Sequence, residues 1–205
     1  MKITKALQST AYHEAGHAVV AWLCDHDLGE VTICPDRYRG TLGNVQHNEE
    51  GSNDLFEIDE IEPYADAPGG FVVRTGNQAG RHLTNDERHW FELRERLSEQ
   101  ALDEQHVMIA AAGESAERRY SPETVEPEQS QDDWKSVFQS LERLTGKYGL
   151  SQGKVRSKLT AQTMSLLDDP LVWRMVVGVA DALLVQETLT MTEVRRVIRK
   201  AVCRD

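Results

Sequence analysis

The stretch Thr10–Leu23, TAYHEAGHAVVAWL, limits this chain more than any other. It is Ala-rich and free of proline, and its apolar side chains recur at Ala11, Ala15, Ala18 and Trp22. That spacing predicts a helix from about Thr4 to Cys24. Residues four apart on a helix are offset by about 40° and about 6 Å along the axis. His13 and His17 therefore share a face, and both imidazoles reach one metal ion. Glu14 stands about 100° round from His13. That is too far round for a third ligand but well placed to touch a water on the ion. This division of labour is that of a zinc hydrolase: zinc lowers the pKa of its water to about 7, and the glutamate takes the proton. Gly16 permits close packing behind the site. The alternative is an ordinary helix that carries two histidines, since three fixed positions in five arise by chance in many proteins.

Zinc chemistry of this kind needs a third protein ligand and an open fourth position. The fold must therefore bring a second segment to the histidine face. His26, His47, His82, His89 and His106 are candidates, alongside many acids. Asp133 is the sharpest. A helix is predicted from Ser130 to about Tyr148, with Trp134, Val137, Phe138, Leu141 and Leu144 as its buried stripe. Asp133 lies at the margin of that stripe, while Asp132 points the opposite way with Ser136 and Arg143. The competing role for Asp133 is a capping box with Ser130.

The 205 residues carry a net charge of −11. This excludes binding that works by neutralising nucleic-acid phosphates, and it disfavours anionic membrane surfaces. With 28% charged and 40% hydrophobic residues, the expectation is a soluble globular chain forming one domain over 1–205. Cys24, Cys34 and Cys203 form no CxxC and read as reduced thiols, mostly small buried hydrophobes, with Cys34 a remote metal-ligand candidate. The apolar run Ala18–Cys24 is too short for a membrane span or a signal peptide. A cytoplasmic protein is expected.

Strands are predicted over Glu30–Cys34 and Tyr38–Gln46. Residues Asn48 to Pro68 then hold eight acids and no Lys or Arg. The plain reading is a solvated acidic loop, and the sharper one is a lid over a cleft. Helices are predicted from Asn85 to about Leu97, over Ala101–Arg119, from Asp169-Pro170 to about Gln186, and from Thr190 or Thr192 to about Val202. The class is mainly α, with a small β element after the zinc helix.

These motifs resemble the peptidase domain of FtsH, the ATP-dependent zinc metalloprotease. TAYHEAGHAVVA is similar to that family's zinc helix, and EVTICPDRYRGTLGNV to its following strand pair. IAAAGESAERRY resembles its Gly-Arg-Ala-Ala-Glu helix, SQDDWKSV its Ser-Asn-Asp segment and LLVQETLTMTEV its closing Glu-Thr-Leu motif. The resemblance implies Zn2+ held by His13, His17 and Asp133, with Glu14 as general base. It places Glu117 at the first glutamate of the Ala-Ala-Glu segment, where such a carboxylate orients a ligating histidine; the alternative is a surface ion pair with Arg118 or Arg119.

Thr41, Leu42, Gly43, Asn44 and Val45 would hold extended substrate by backbone pairing. The family's membrane anchor and ATPase have no counterpart here: there is no GxxxxGK[ST], and LTGKYG lacks the first glycine and the Ser/Thr. Glu114 stands where the family has arginine, and residues 48–100 look like an enlarged acidic and helical insertion. The expectation is a metalloendopeptidase of unfolded polypeptides that works without ATP, with a homo-oligomer or a separate unfoldase left open as partner. The rival is a metal-stabilised interaction or regulatory module with little catalysis.

Overall fold

The first helix is the axis of the molecule because its second half is enclosed by other elements. α1 (Lys5–Leu23) starts at Thr4, whose hydroxyl accepts the Leu7 amide. From His13 to Leu23 every residue is buried, the polar His13, Glu14 and His17 among them. The run Ala18–Leu23 is apolar all round, as suits an interior helix. The computed structural model describes residues 3–26, 28–35, 43–47, 60–63, 71–74, 81–82, 84–98, 100–125 and 131–203, with the backbone alone at 28, 44–47, 60–63, 71–74, 81–82 and 98. Among these residues the fold is mainly helical, with eight α-helices.

α1 packs against α3 (Leu102–Tyr120) and α7 (Pro170–Gln186). α3 is fixed electrostatically at both ends, with Asp103 and Glu104 in its first turn and Arg118 and Arg119 in its last. A Cβ at Gly16 would lie 2.5 Å from the Ala112 carbonyl oxygen and 2.7 Å from the Ala116 methyl. Glycine at 16 thus sets how closely α1 and α3 approach. α5 (Phe138–Tyr148) and α6 (Gln152–Leu167) cover the other side of α3, and α8 (Met191–Val202) covers α7. α2 (Asn85–Ser98) puts Trp90, Leu93 and Leu97 into the same core, and the rings of Trp90 and Trp22 stack at 5.4 Å.

β1 (Leu28–Thr32), β2 (Asn44–His47) and β6 (Thr188–Thr190) form an antiparallel sheet in the order β2-β1-β6. Val31 faces Val45 on one side and Leu189 on the other. A second sheet has the order β3-β4-β5, built from Glu60–Pro63, Phe71–Arg74 and Arg81–His82.

Several expectations need correction. The first strand begins and ends about two residues earlier than Glu30–Cys34, and Ile33 still donates its amide to the Glu187 carbonyl at 2.9 Å. Of the second strand, Asn44–His47 is described, reaching one residue past Gln46; residues 36–42 lie outside the described ones. The acidic stretch is not all loop: Glu60–Pro63 pairs with Phe71–Arg74, which sets Glu60 opposite Arg74. The lid reading falls mostly on residues outside the described set.

The helix expected from Ser130 to Tyr148 is two. α4 (Gln131–Ser136) ends at Val137, whose φ of −104° and ψ of 12° leave the helical region. The phase shift turns Phe138 outward, 51% exposed, where burial was expected. Ser130, and with it the capping box, lies outside the described residues. α6 and β6 were not anticipated. No helix among the described residues is long and apolar enough to cross a membrane.

Candidate metal centre

α1 and α3 meet along two four-residue ladders. Ser9, His13 and His17 rise along α1, and Glu117, Gly113 and Ile109 descend along α3 beside them. His13 Nδ1 lies 3.2 Å from Glu117 Oε2, and His17 Nδ1 lies 2.7 Å from the Ile109 carbonyl oxygen. A carbonyl and a carboxylate only accept, so both Nδ1 atoms carry the proton. Both Nε2 lone pairs are then free to face the space between the rings. The two Nε2 atoms are 3.1 Å apart, and Asp133 Oδ2 is 3.3 Å from that of His13 and 3.5 Å from that of His17. Two imidazole nitrogens and one carboxylate oxygen so arranged could hold a metal ion.

Gly113 tests whether an ion fits. A Cβ there would run into His17 Nε2 and stand 2.6 Å from His13 Nε2. Zinc bonds imidazole nitrogen at about 2.0–2.1 Å. The glycine therefore keeps free the space a bound ion would take, and α3 backbone forms its back wall.

Electrostatics agree with the donor set. Burial opposes charge on His13, but hydrogen bonds to Asp133 and Glu117 outweigh it and push its pKa up to about 10. Burial likewise acts against a charged His17, and Asp133 overcomes it. Burial alone would raise the Asp133 carboxyl, yet the two histidines hold it well below the usual carboxylate range. The pocket is built to concentrate positive charge beside Asp133, whether carried by protons or by a metal.

Glu14 is buried and not part of the donor cluster. Burial raises its pKa, and His13 and His17 only partly offset this. Gly43, the residue before β2, is seated on it: a Cβ there would lie 2.5 Å from Glu14 Oε1. The proposed substrate segment is thus in part against the proposed base. Asn44 and Val45 pair with Thr32 and Val31, while Thr41 and Leu42 lie outside the described residues.

Asp133 and Asp132 separate as the helical phase requires. Asp132 is 66% exposed and pairs with Lys135 at 2.7 Å, whereas Asp133 is 26% exposed at the histidines. Glu117 is not in a surface pair: Arg118 bonds Glu114 and Arg119 pairs with Asp168. The other candidate ligands lie elsewhere. His26 faces Gln105 and His106, His89 bonds Asp169 at 2.6 Å, and Cys34 is exposed with Sγ 3.7 Å from Glu187. Of His47 and His82 only the backbone is described, in β2 and β5. Burial pushes the Cys24 thiol up to about 12, as suits an inert core cysteine.

Gly113, the Ile109 carbonyl and Ser9 escaped the sequence reading. The signal for them is the spacing of Ile109, Gly113 and Glu117 at intervals of four, matched to Ser9, His13 and His17. Compared with known proteins, the chain matches no family model and no curated protein.

Proposed function

We propose that the chain is a zinc metalloendopeptidase with an FtsH-peptidase-like fold, hydrolysing unfolded or extended polypeptides in the cytoplasm without ATP. One observation carries this reading: His13, His17 and Asp133 converge while a separate buried carboxylate, Glu14, stands beside them without joining them. A site that only held an ion for structure has no use for such a group. Zinc bound there supplies a Lewis acid that brings the pKa of a water to about 7 and polarises the scissile carbonyl.

Glu14 takes the proton of the attacking water and delivers it to the leaving amine. Glu117 and the Ile109 carbonyl hold the two imidazoles so that Nε2 faces inward. β2 lies at the edge of its sheet, open on one side among the described residues, and an extended peptide adds there by backbone hydrogen bonds. Partners beyond the substrate are a second copy or a separate unfoldase.

Gly43 on Glu14 favours a second reading, a metal-stabilised interaction module whose base is covered. The two separate on Glu14→Gln, with zinc content and hydrolysis of denatured casein both measured. The enzyme keeps its zinc and loses about 10²-fold or more in rate, the scale of general-base loss. Zinc-loaded wild type that leaves casein intact at every pH selects the module.

A further inference from the structure

We propose that Ser9 and Thr124 are positioning residues of the centre, holding the Glu117 carboxylate in the plane that receives His13. The inference rests on reading the centre as a metal site and extends it to two residues that touch neither ion nor substrate. Ser9 is buried on α1, four residues before His13. Its hydroxyl donates to Glu117 Oε1 at 2.7 Å, while Glu117 Oε2 accepts from His13 Nδ1 at 3.2 Å. Ser9 is the donor in this bond and the carboxylate oxygen the acceptor. The Ser9 oxygen in turn lies 2.5 Å from Thr124 Oγ1, in the short 3-10 turn Pro122–Thr124 after α3. With Ser9's only proton given to Glu117, the Thr124 hydroxyl must donate to Ser9, and its single proton is then not available to the competing Ser121 carbonyl oxygen 2.8 Å away.

Thr10, Ser115 and Thr145 each turn the hydroxyl back to the carbonyl four residues earlier in their own helix. That is the ordinary local bond of a helical hydroxyl. Ser9 reaches across to α3 instead, and Thr124 is the group that meets it there. The need for it is torsional. The last torsion of a glutamate is broad, so a single bond to His13 leaves the carboxylate free to swing. A second donor on the other oxygen sets its plane. Lys5 pairs with Glu123 at the exposed end of the same contact, which docks the 3-10 turn on the start of α1. The order of action is Thr124 on Ser9, Ser9 on Glu117, Glu117 on His13.

The test compares wild type, Ser9→Ala, Ser9→Thr and Thr124→Val as full chains. Zinc affinity is measured by chelator competition, the low-field His13 Nδ1–H resonance by NMR of metal-free protein, and Tm without metal. Loss of a direct partner of a ligating histidine costs about 10–100-fold in affinity. One step further out, Ser9→Ala should lose about three- to tenfold, Thr124→Val less, and Ser9→Thr nearly nothing. The His13 resonance should broaden or shift in the same order, with metal-free Tm little changed. Unchanged affinity and resonance in Ser9→Ala overturn the proposal. So does a fall in Tm with affinity that Ser9→Thr fails to restore, because that describes packing alone. Wild type that binds no zinc defeats the metal reading itself; the resonance of the metal-free chains still decides whether Ser9 holds Glu117 to His13.

Discussion

The ligands of the centre come from two unlike carriers. α1 is 19 residues long, capped by Thr4 and buried without a gap from His13 to Leu23. α4 is six residues long, has no buried residue and ends at the break at Val137. The histidines are held by packing and by bonds on their far nitrogens. Asp133 is held by the histidines and by its neighbour Trp134, which packs on the core and lies under the Arg156 guanidinium at 3.7 Å. One carrier is thus set by burial and the other by surface packing and charge, so the binding of an ion would be coupled to the docking of α4. Metal sites commonly couple to folding in this way; here the coupled unit is one short helix.

The largest effect that sharpens this contrast is expected from His17→Ala. Zinc binding should fall by more than the about 10–100-fold that follows loss of a histidine's partner. Equilibrium dialysis with metal analysis checks it, and retained zinc would mean that the rigid carrier is not where the ion sits. Gly113→Ala comes next. Alanine is favoured over glycine in a helix by about 1 kcal/mol, so a helix that simply tolerates the change keeps or gains stability. Zinc should nonetheless be lost, because the methyl takes the ion's place. Zinc retained at wild-type affinity breaks the account of the cradle.

Asp133→Ala should also lose zinc, and the metal-free Tm should fall, because the buried histidines lose the carboxylate that favours their charged forms. The paired Asp132→Ala should change neither. Equal loss from the two aspartates would erase the distinction between them. The dependence on pH has a definite sign. The His13 pKa is raised to about 10 in the metal-free chain, so below that value the ion must displace a proton. Zinc affinity should therefore weaken as pH falls, by about tenfold per pH unit for each proton displaced. A flat profile between pH 6 and 8 contradicts it. The smallest effect is in hydrogen exchange: zinc should slow the amides of α4 and leave those of α1 as they were.

Sequence alone located the buried carrier well and the exposed one badly. The bounds of α1 follow from Thr4 and from the end of the apolar run at Asp25, and its histidine face follows from spacing. The phase of Asp133 against Asp132 was also legible, since one turn suffices to separate them. The break at Val137 was not, because no glycine or proline marks it and the apolar stripe reads through it. It shows instead in the exposure of Phe138. α6 carries its signal at Val155, Leu159, Thr163, Leu166 and Leu167, diluted by basic and polar neighbours. β3 was hidden by charge: alternation in Glu60–Pro63 is real, but the surrounding acids suggested solvation. The Ile109 carbonyl is part of the backbone, and its use depends on which helix lies opposite.

Among the described residues one edge of β2 is unpaired, and that bears on how concentrated the protein can be. An unpaired strand edge accepts any extended backbone, including that of a neighbouring copy. Edge-to-edge pairing of two copies would bring together the acidic runs that follow β2, each with eight carboxylates and no basic residue. Their repulsion acts over about 8 Å at physiological salt and shrinks to about 3 Å at 1 M. The run would then act as a colloidal guard, keeping like chains apart in dilute salt and losing that effect in brine, so self-association measured by light scattering should rise with salt.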